Sequence, residues 1–198
     1  QEAEFKNGLI MEGPLFTVSA AVLEHRVPCL GFSLQEKLHV NIKKDRLEAM
    51  RIVKGPWLNE LKQSVLRGKP GTHIINVPFK EKGESRQKQK TLGELQENLL
   101  EISPGEKIGY VVDTIYNSQN KKKIIDLVQS ADIFFCESPF LANEVARGLE
   151  RHHLTSRQAG IIAREAEVKK LNVFHFSGRH TLRPDQIIQE AEEAFRGE

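Results

Sequence analysis

Three titratable residues each close a short apolar run in the second half of the sequence: Asp113 after Gly109-Tyr-Val-Val, Glu137 after Ile133-Phe-Phe-Cys, and His175 after Asn172-Val-Phe. Such runs read as strands. In an open α/β sheet the carboxyl ends of strands are where ligands bind, because loops converge there while the strand bodies pack inside. Taken singly, Asp113 reads as a turn cap, His175 as a hydrogen-bonded core histidine and Glu137 as the partner of a nearby base. Together, at three strand ends, they point to one site.

A hydrolytic metal site needs imidazole and carboxylate ligands held in fixed directions, a bridging oxygen ligand where two cations sit side by side, and a separate proton donor. His25, Asp113 and His175 have the chemistry of the ligands. His153 and Glu137 remain as a donor pair in which the carboxylate orients the imidazole.

The elements that position these residues follow α/β grammar from residue 107 onward: strand 107–112, helix 121–129, strand 132–136, helices 141–151 and 156–170, strand 171–176 and helix 184–195. Thr155 with Gln158 three residues later is a capping-box pattern, and Pro184 stands at a first helical position. The last helix places Ile187, Ile188, Ala191, Ala194 and Phe195 on one face, as packing on a sheet requires. Upstream, Leu15–Leu23 and Cys29–Leu34 read as strands, with His25 in the bend between them. Residues 45–54 and 57–67 read as helices separated by Gly55-Pro56. The polar, aperiodic stretch Lys80–Lys90 reads as a mobile loop in a middle part that is appendage rather than core.

Bulk properties frame this as one ordinary globular domain over residues 1–198, with 39% hydrophobic and 28% charged residues. No apolar run approaches the ~18 residues of a membrane span. No secretory signal is visible at the start, so a cytoplasmic setting is expected. Cys29 and Cys136 both sit in apolar strand-like runs, as reduced cysteines do. The net charge of +2 does not argue for nucleic acid, yet residues 36–70 carry nine Lys/Arg against four acids. By charge alone that segment is a solvated helical arm.

The order of motifs resembles the second half of the ribonuclease Z family, the tRNA 3′-end endonucleases of the metallo-β-lactamase fold. It runs through Phe16-Thr-Val-Ser-Ala-Ala-Val-Leu-Glu-His25-Arg-Val-Pro28, Gly31-Phe-Ser, Gln35-Glu-Lys37, Gly55-Pro56, Val112-Asp113-Thr114, Ala131-Asp132 with Glu137, His153-Leu-Thr-Ser-Arg-Gln158-Ala159, and His175-Phe-Ser-Gly-Arg179. The resemblance implies the C-terminal portion of an αββα sandwich with a basic helical arm, residues 36–70, inserted in it. It implies His25, Asp113 and His175 as ligands of two zinc ions, with manganese as the alternative metal, and Asp113 as the bridge. Glu137 and His153 are implied as the proton-donor pair, and Ser177 and Arg179 as residues near the scissile phosphate. The arm around Gly55-Pro56, with Lys43 and Lys44, is implied to grip precursor tRNA through phosphate contacts that read no bases. A homodimer is also implied.

Departures from the family pattern are Val112 before Asp113, Cys136-Glu137-Ser138-Pro139 and Arg179-His180. They keep the ligand chemistry and alter the pocket wall, so a hydrolase of small phosphodiesters or sulfate esters is the first alternative. The second is a non-catalytic RNA-binding partner. No His-x-His-x-Asp-His motif occurs in the 198 residues. Either the chain is a fragment of a longer protein, as a first residue Gln1 rather than Met suggests, or it is a remnant that does not bind metal fully; in both cases it is expected to be inactive by itself.

Overall fold

A computed structural model describes residues 8–81, 84–180, 182 and 184–198. The signal-free start read at residues 1–7 lies outside the described residues. Strands β1 (Leu9–Glu12), β2 (Phe16–Leu23) and β3 (Cys29–Glu36) open the chain. Then come β4 (Leu38–Ile42), α1 (Lys44–Ala49), α2 (Trp57–Leu66), β5 (Ile74–Glu81), β6 (Glu84–Thr91), α3 (Leu92–Leu99) and β7 (Leu100–Pro104). The chain closes with β8 (Lys107–Val111), α4 (Ser118–Val128), β9 (Ile133–Glu137), α5 (Val145–Arg151), α6 (Ser156–Glu165), β10 (Leu171–Phe174) and α7 (Asp185–Arg196).

The chain divides into two compact units. The first, residues 1–12, 16–35 and 106–198, holds a six-stranded sheet in the order β1-β2-β3-β8-β9-β10. The pairs β8–β9 and β9–β10 are parallel, which the crossover helices between them allow, whereas β3–β8 is antiparallel. Alternation along each strand decides what it buries. Leu23, Val111, Phe134 and Cys136 point to one face, where they meet Ile124 and Val128 of α4 and Ala159, Ile162 and Ala163 of α6. Full burial of a side chain such as Leu23, Phe134 or Ile162 contributes roughly 1.5–3 kcal/mol relative to exposure. On the opposite face Val22, Leu30, Leu34 and Tyr110 are exposed, and Tyr110 stacks on Phe174 with centroids 5.2 Å apart.

Helix starts carry their signals. Gln158 accepts from the Thr155 amide at 2.9 Å, and the Asn117 side chain accepts from the Asn120 amide at 2.7 Å. Pro184 stands just outside α7, whose Ile187, Ala191 and Ala194 are buried as its spacing predicts. Two elements end earlier and one begins later than their composition suggests. β10 stops at Phe174 because His175 has φ +62°, α6 stops at Glu165 ahead of Glu167 at φ +52°, and the segment after Leu141 begins as a 3-10 turn before α5.

The second unit, residues 13–15 and 36–105, has its own core of Leu47, Trp57, Leu61, Ile75, Val77, Leu92 and Leu95. The basic segment 36–70 lies within it. The stretch read as a mobile loop, 80–90, instead belongs to the antiparallel hairpin β5–β6, in register from Ile74↔Thr91 to Glu81↔Glu84; its residues 82–83 lie outside the described residues. Composition misleads there because β6 is exposed along most of its length and is held by its ladder to β5, whose Ile75 and Val77 are buried. No described helix is long and apolar enough to cross a membrane.

Candidate metal centre

The carboxyl ends of β8, β9 and β10 bring Asp113, Glu137 and His175 together, and the turn before α6 adds His153. One donor atom from each lies within 4.8 Å of the others. Asp113 and His175 both take left-handed backbone, φ +55° and +62°, an uncommon conformation for non-glycine residues that turns each abruptly off its strand.

Glu137 is the hub. Its side chain is 0% exposed, and Oε2 accepts from the Asp113 amide at 2.9 Å and lies 2.9 Å from His153 Nδ1 and 3.2 Å from His175 Nδ1. Its Oε1 accepts from the amides of Thr114 and Leu154, both at 3.1 Å. Burial pushes the Glu137 carboxyl up, but the hydrogen bonds from His153 and His175 outweigh it and hold the pKa at about 2. The His175 imidazole is shifted up, chiefly by its hydrogen bond to Glu137 and against its own desolvation.

Each histidine of the centre has its Nδ1 committed to an oxygen. His25 donates from Nδ1 to the His152 carbonyl at 2.9 Å, and its ring centroid lies 4.9 Å from that of His153. His152 presents that carbonyl from the left-handed C-cap of α5. An imidazole anchored at Nδ1 leaves its Nε2 for another partner, a metal in one role or an oxygen that takes its proton in another. The group that could hold a cation is thus Asp113, Glu137, His153 and His175; His25 is not part of it, although its ring stands beside that of His153. Cys136 is buried next to Glu137, with its thiol pushed well up by desolvation, and Cys29 is also free of any disulfide.

Ser177 lines an open cleft of about 370 Å³ together with His153 and His175, and Arg179 is exposed in the turn that follows. Gly55, Pro56, Lys43 and Lys44 belong to the other unit. Gly55-Pro56 leads into α2, where Trp57 Nε1 donates to the Val53 carbonyl at 2.9 Å, and Lys43 and Lys44 open α1.

Two features were not anticipated from sequence. Asn120, fully buried on α4, donates to Thr114 Oγ1 at 2.8 Å and to the carbonyls of Glu24 and Ile115 at 3.0 Å, while accepting from the Glu24 amide at 3.0 Å. It thus ties the residue before His25 to the residue after Asp113. Arg147 and Arg151 also line the cleft. Asn120 left one signal, a polar residue on the apolar face of a helix. The arginines left only an i,i+4 basic pair.

No family profile matches the chain. It is 32% identical over 196 residues to ribonuclease Z of Synechocystis sp., covering 96% of this chain and 53% of that protein. Against ribonuclease Z of Enterococcus faecalis it is 29% identical over 192 residues, covering 96% of this chain and 54% of the relative. Along nearly its whole length the chain is similar to ribonuclease Z. It spans about half the length of the curated ribonuclease Z relatives it matches. Its fold is that of the metallo-β-lactamase fold protein YhfI from Bacillus subtilis, with a TM-score of 0.53 at 18% identity over 97% of this chain and 48% of that one. Asp113, Glu137, His153 and His175 are a possible metal-binding group.

Proposed function

We propose that these residues are the proton-donor side and part of the metal-ligand set of a zinc-dependent endoribonuclease that cuts precursor tRNA at the 3′ end. The observation that carries the reading is the shared Glu137 carboxylate, which holds His153 and His175 by their Nδ1 atoms beside Asp113. In this reading His25, Asp113 and His175 hold two zinc ions with the His-x-His-x-Asp-His segment that the 198 residues do not contain. The exposed apolar face of the sheet is the surface that half of an αββα sandwich turns toward its second sheet.

The chemistry a zinc pair supplies when bound is Lewis acidity and a lowered pKa for water. The chain's own residues do the rest. Glu137 fixes the His153 ring through Nδ1, so Nε2 is the atom that passes a proton to the oxygen leaving phosphorus. Asp113 would supply a carboxylate oxygen to the cations. Ser177 and Arg179 lie beside the scissile phosphate, and Lys43, Lys44 and the Gly55-Pro56 turn hold the tRNA body by its backbone. The working protein is a cytoplasmic homodimer in this proposal.

The test is cleavage of a precursor tRNA in zinc buffer by the 198-residue chain, alone and with the N-terminal half of a ribonuclease Z supplied in trans. The expected result is no turnover alone and 3′-end cleavage on complementation, abolished by His153→Ala. Turnover that persists in the His153→Ala complex would sink the assignment of the donor.

A further inference from the structure

The cleft beside His153 has a wall that the proposed reaction does not use. Arg147 and Arg151 are four residues apart on α5, so their side chains leave the same helix face. Both line the cleft, and no carboxylate does. Arg147 lies over the Phe140 ring, 5.8 Å from its centroid, and its Nε is buried without a hydrogen-bond partner. A guanidinium stacked on an aromatic face is held in a fixed plane with its outer nitrogens directed away from the ring. Arg151 is half exposed, and its printed ion partner is the neighbouring Glu150 at 3.8 Å. Glu144, which feels the charge of Arg147, is already engaged by the Leu141 amide and by His180 at 2.8 Å. Across the cleft Gly178 faces open space, since a Cβ there would meet no atom within 4 Å. The volume of about 370 Å³ falls within the ~300–1,000 Å³ of small-ligand sites.

We propose that this cleft is a second phosphate subsite, in which Arg147 and Arg151 seat a backbone phosphodiester of single-stranded RNA adjacent to the one being cut. The inference rests on the endoribonuclease reading for its substrate class. Two arginine forks in a cleft free of acids match the bidentate geometry of a phosphate, and charge-assisted pairs of this kind are roughly twice as strong as neutral ones. A cation pair next to His153 also fixes the strand so that the reacting phosphate cannot slide along the groove.

The experiment is binding of a fluorescein-labelled RNA tetranucleotide to the 198-residue chain, followed by fluorescence anisotropy. Arg147→Gln/Arg151→Gln is expected to weaken binding about tenfold or more, with excess inorganic phosphate competing for the unaltered protein. Arg151→Gln alone alters an exposed side chain without touching packing, and is expected to account for a severalfold share. Lys122→Gln, which alters an exposed lysine of α4 paired with Asp126 and lying outside the cleft, is expected to leave tetranucleotide binding within about twofold of the unaltered chain. Equal binding by the unaltered chain and the arginine double variant, or no binding by either, overturns the subsite. Failure of the endoribonuclease reading shows itself separately, as absence of precursor tRNA cleavage by the complemented protein.

Discussion

The Nδ1 of His153 stands 2.9 Å from Oε2 of Glu137, a carboxylate with no exposed surface. The same oxygen serves His175 at 3.2 Å, so one buried charge orients two imidazoles that come from different elements. A charge in that position is stable only while its donors remain, and the donors are oriented only while the charge remains. Replacing Glu137 by Ala leaves five donors facing an apolar hole. The expected loss is about 3–5 kcal/mol of unfolding free energy, read from the urea midpoint. Glu137→Gln keeps the volume and is expected to cost less while still lowering zinc affinity 10–100-fold through lost imidazole orientation. A Glu137→Ala midpoint like that of the unaltered chain would remove the hub from the account.

Glu137 and His175 set the pH dependence of the chain freed of metal by a chelator. Glu137 is depressed from 4.5 to about 2 in the folded state, so its stabilisation is present above pH 4.5 and is lost as pH falls through about 2. His175 is raised from 6.5, so its contribution is present below pH 6.5 and is lost as pH rises through its folded value. Stability is therefore expected to be greatest between pH 4.5 and 6.5. Chemical denaturation across pH 2–9 checks this, and in Glu137→Gln both flanks should flatten together.

Asn120 supports the centre without touching it. Asn120→Ala removes a side chain that bridges the strand end before His25 to the turn after Asp113, and strands the buried Thr114 hydroxyl together with the part-buried Ile115 carbonyl. A cost of about 2–3 kcal/mol is expected from those unsatisfied groups. Zinc affinity, measured by competition with a chromophoric chelator, is expected to fall as well, because His25 and Asp113 lose their common anchor. A stability loss with unchanged zinc affinity would make Asn120 purely structural.

Much of this site could be read from residue order, and the limits of that reading are physical. Asp113, Glu137 and His175 stand out because an apolar run that ends in a titratable group has a direction: the run is buried and its end emerges where loops meet. The Thr155–Gln158 pattern was visible because capping is a local interaction. The hairpin strand β6 was not, since Glu-Ser-Arg-Gln-Lys-Gln-Lys-Thr has no apolar alternation and becomes a strand only by pairing with β5. Phe176 looked like strand for the opposite reason: its apolar character is real, but the backbone turns at His175. Asn120, Arg147 and Arg151 acquire meaning only from what the fold sets opposite them.

Gly160 gives a test of packing in which two effects oppose. Alanine in the interior of α6 gains about 1 kcal/mol of helix propensity over glycine. A Cβ at this position, however, runs into the Ala191 carbonyl and the Ala194 methyl of α7. Overpacking of this kind costs typically 1–3 kcal/mol, so Gly160→Ala is expected to be destabilising on balance. An increase in the urea midpoint would show that α7 moves aside freely.

The arm's part in binding can be separated from chemistry by salt. Under the proposed function, contacts from Lys43 and Lys44 to phosphates release counterions, and the logarithm of tRNA affinity then falls linearly with the logarithm of salt concentration. Lys43→Gln/Lys44→Gln is expected to lower that slope by about 2 and to weaken binding by similar factors for tRNAs of different sequence. The pair opens α1, and Lys43 spends its backbone amide on the Leu99 carbonyl at 2.9 Å, so the substitution leaves the backbone of the second unit intact. Filter binding at several potassium chloride concentrations measures the slope. An unchanged slope would mean that these lysines meet solvent rather than phosphate, and the grip on tRNA would have to come from other cations of the segment 36–70.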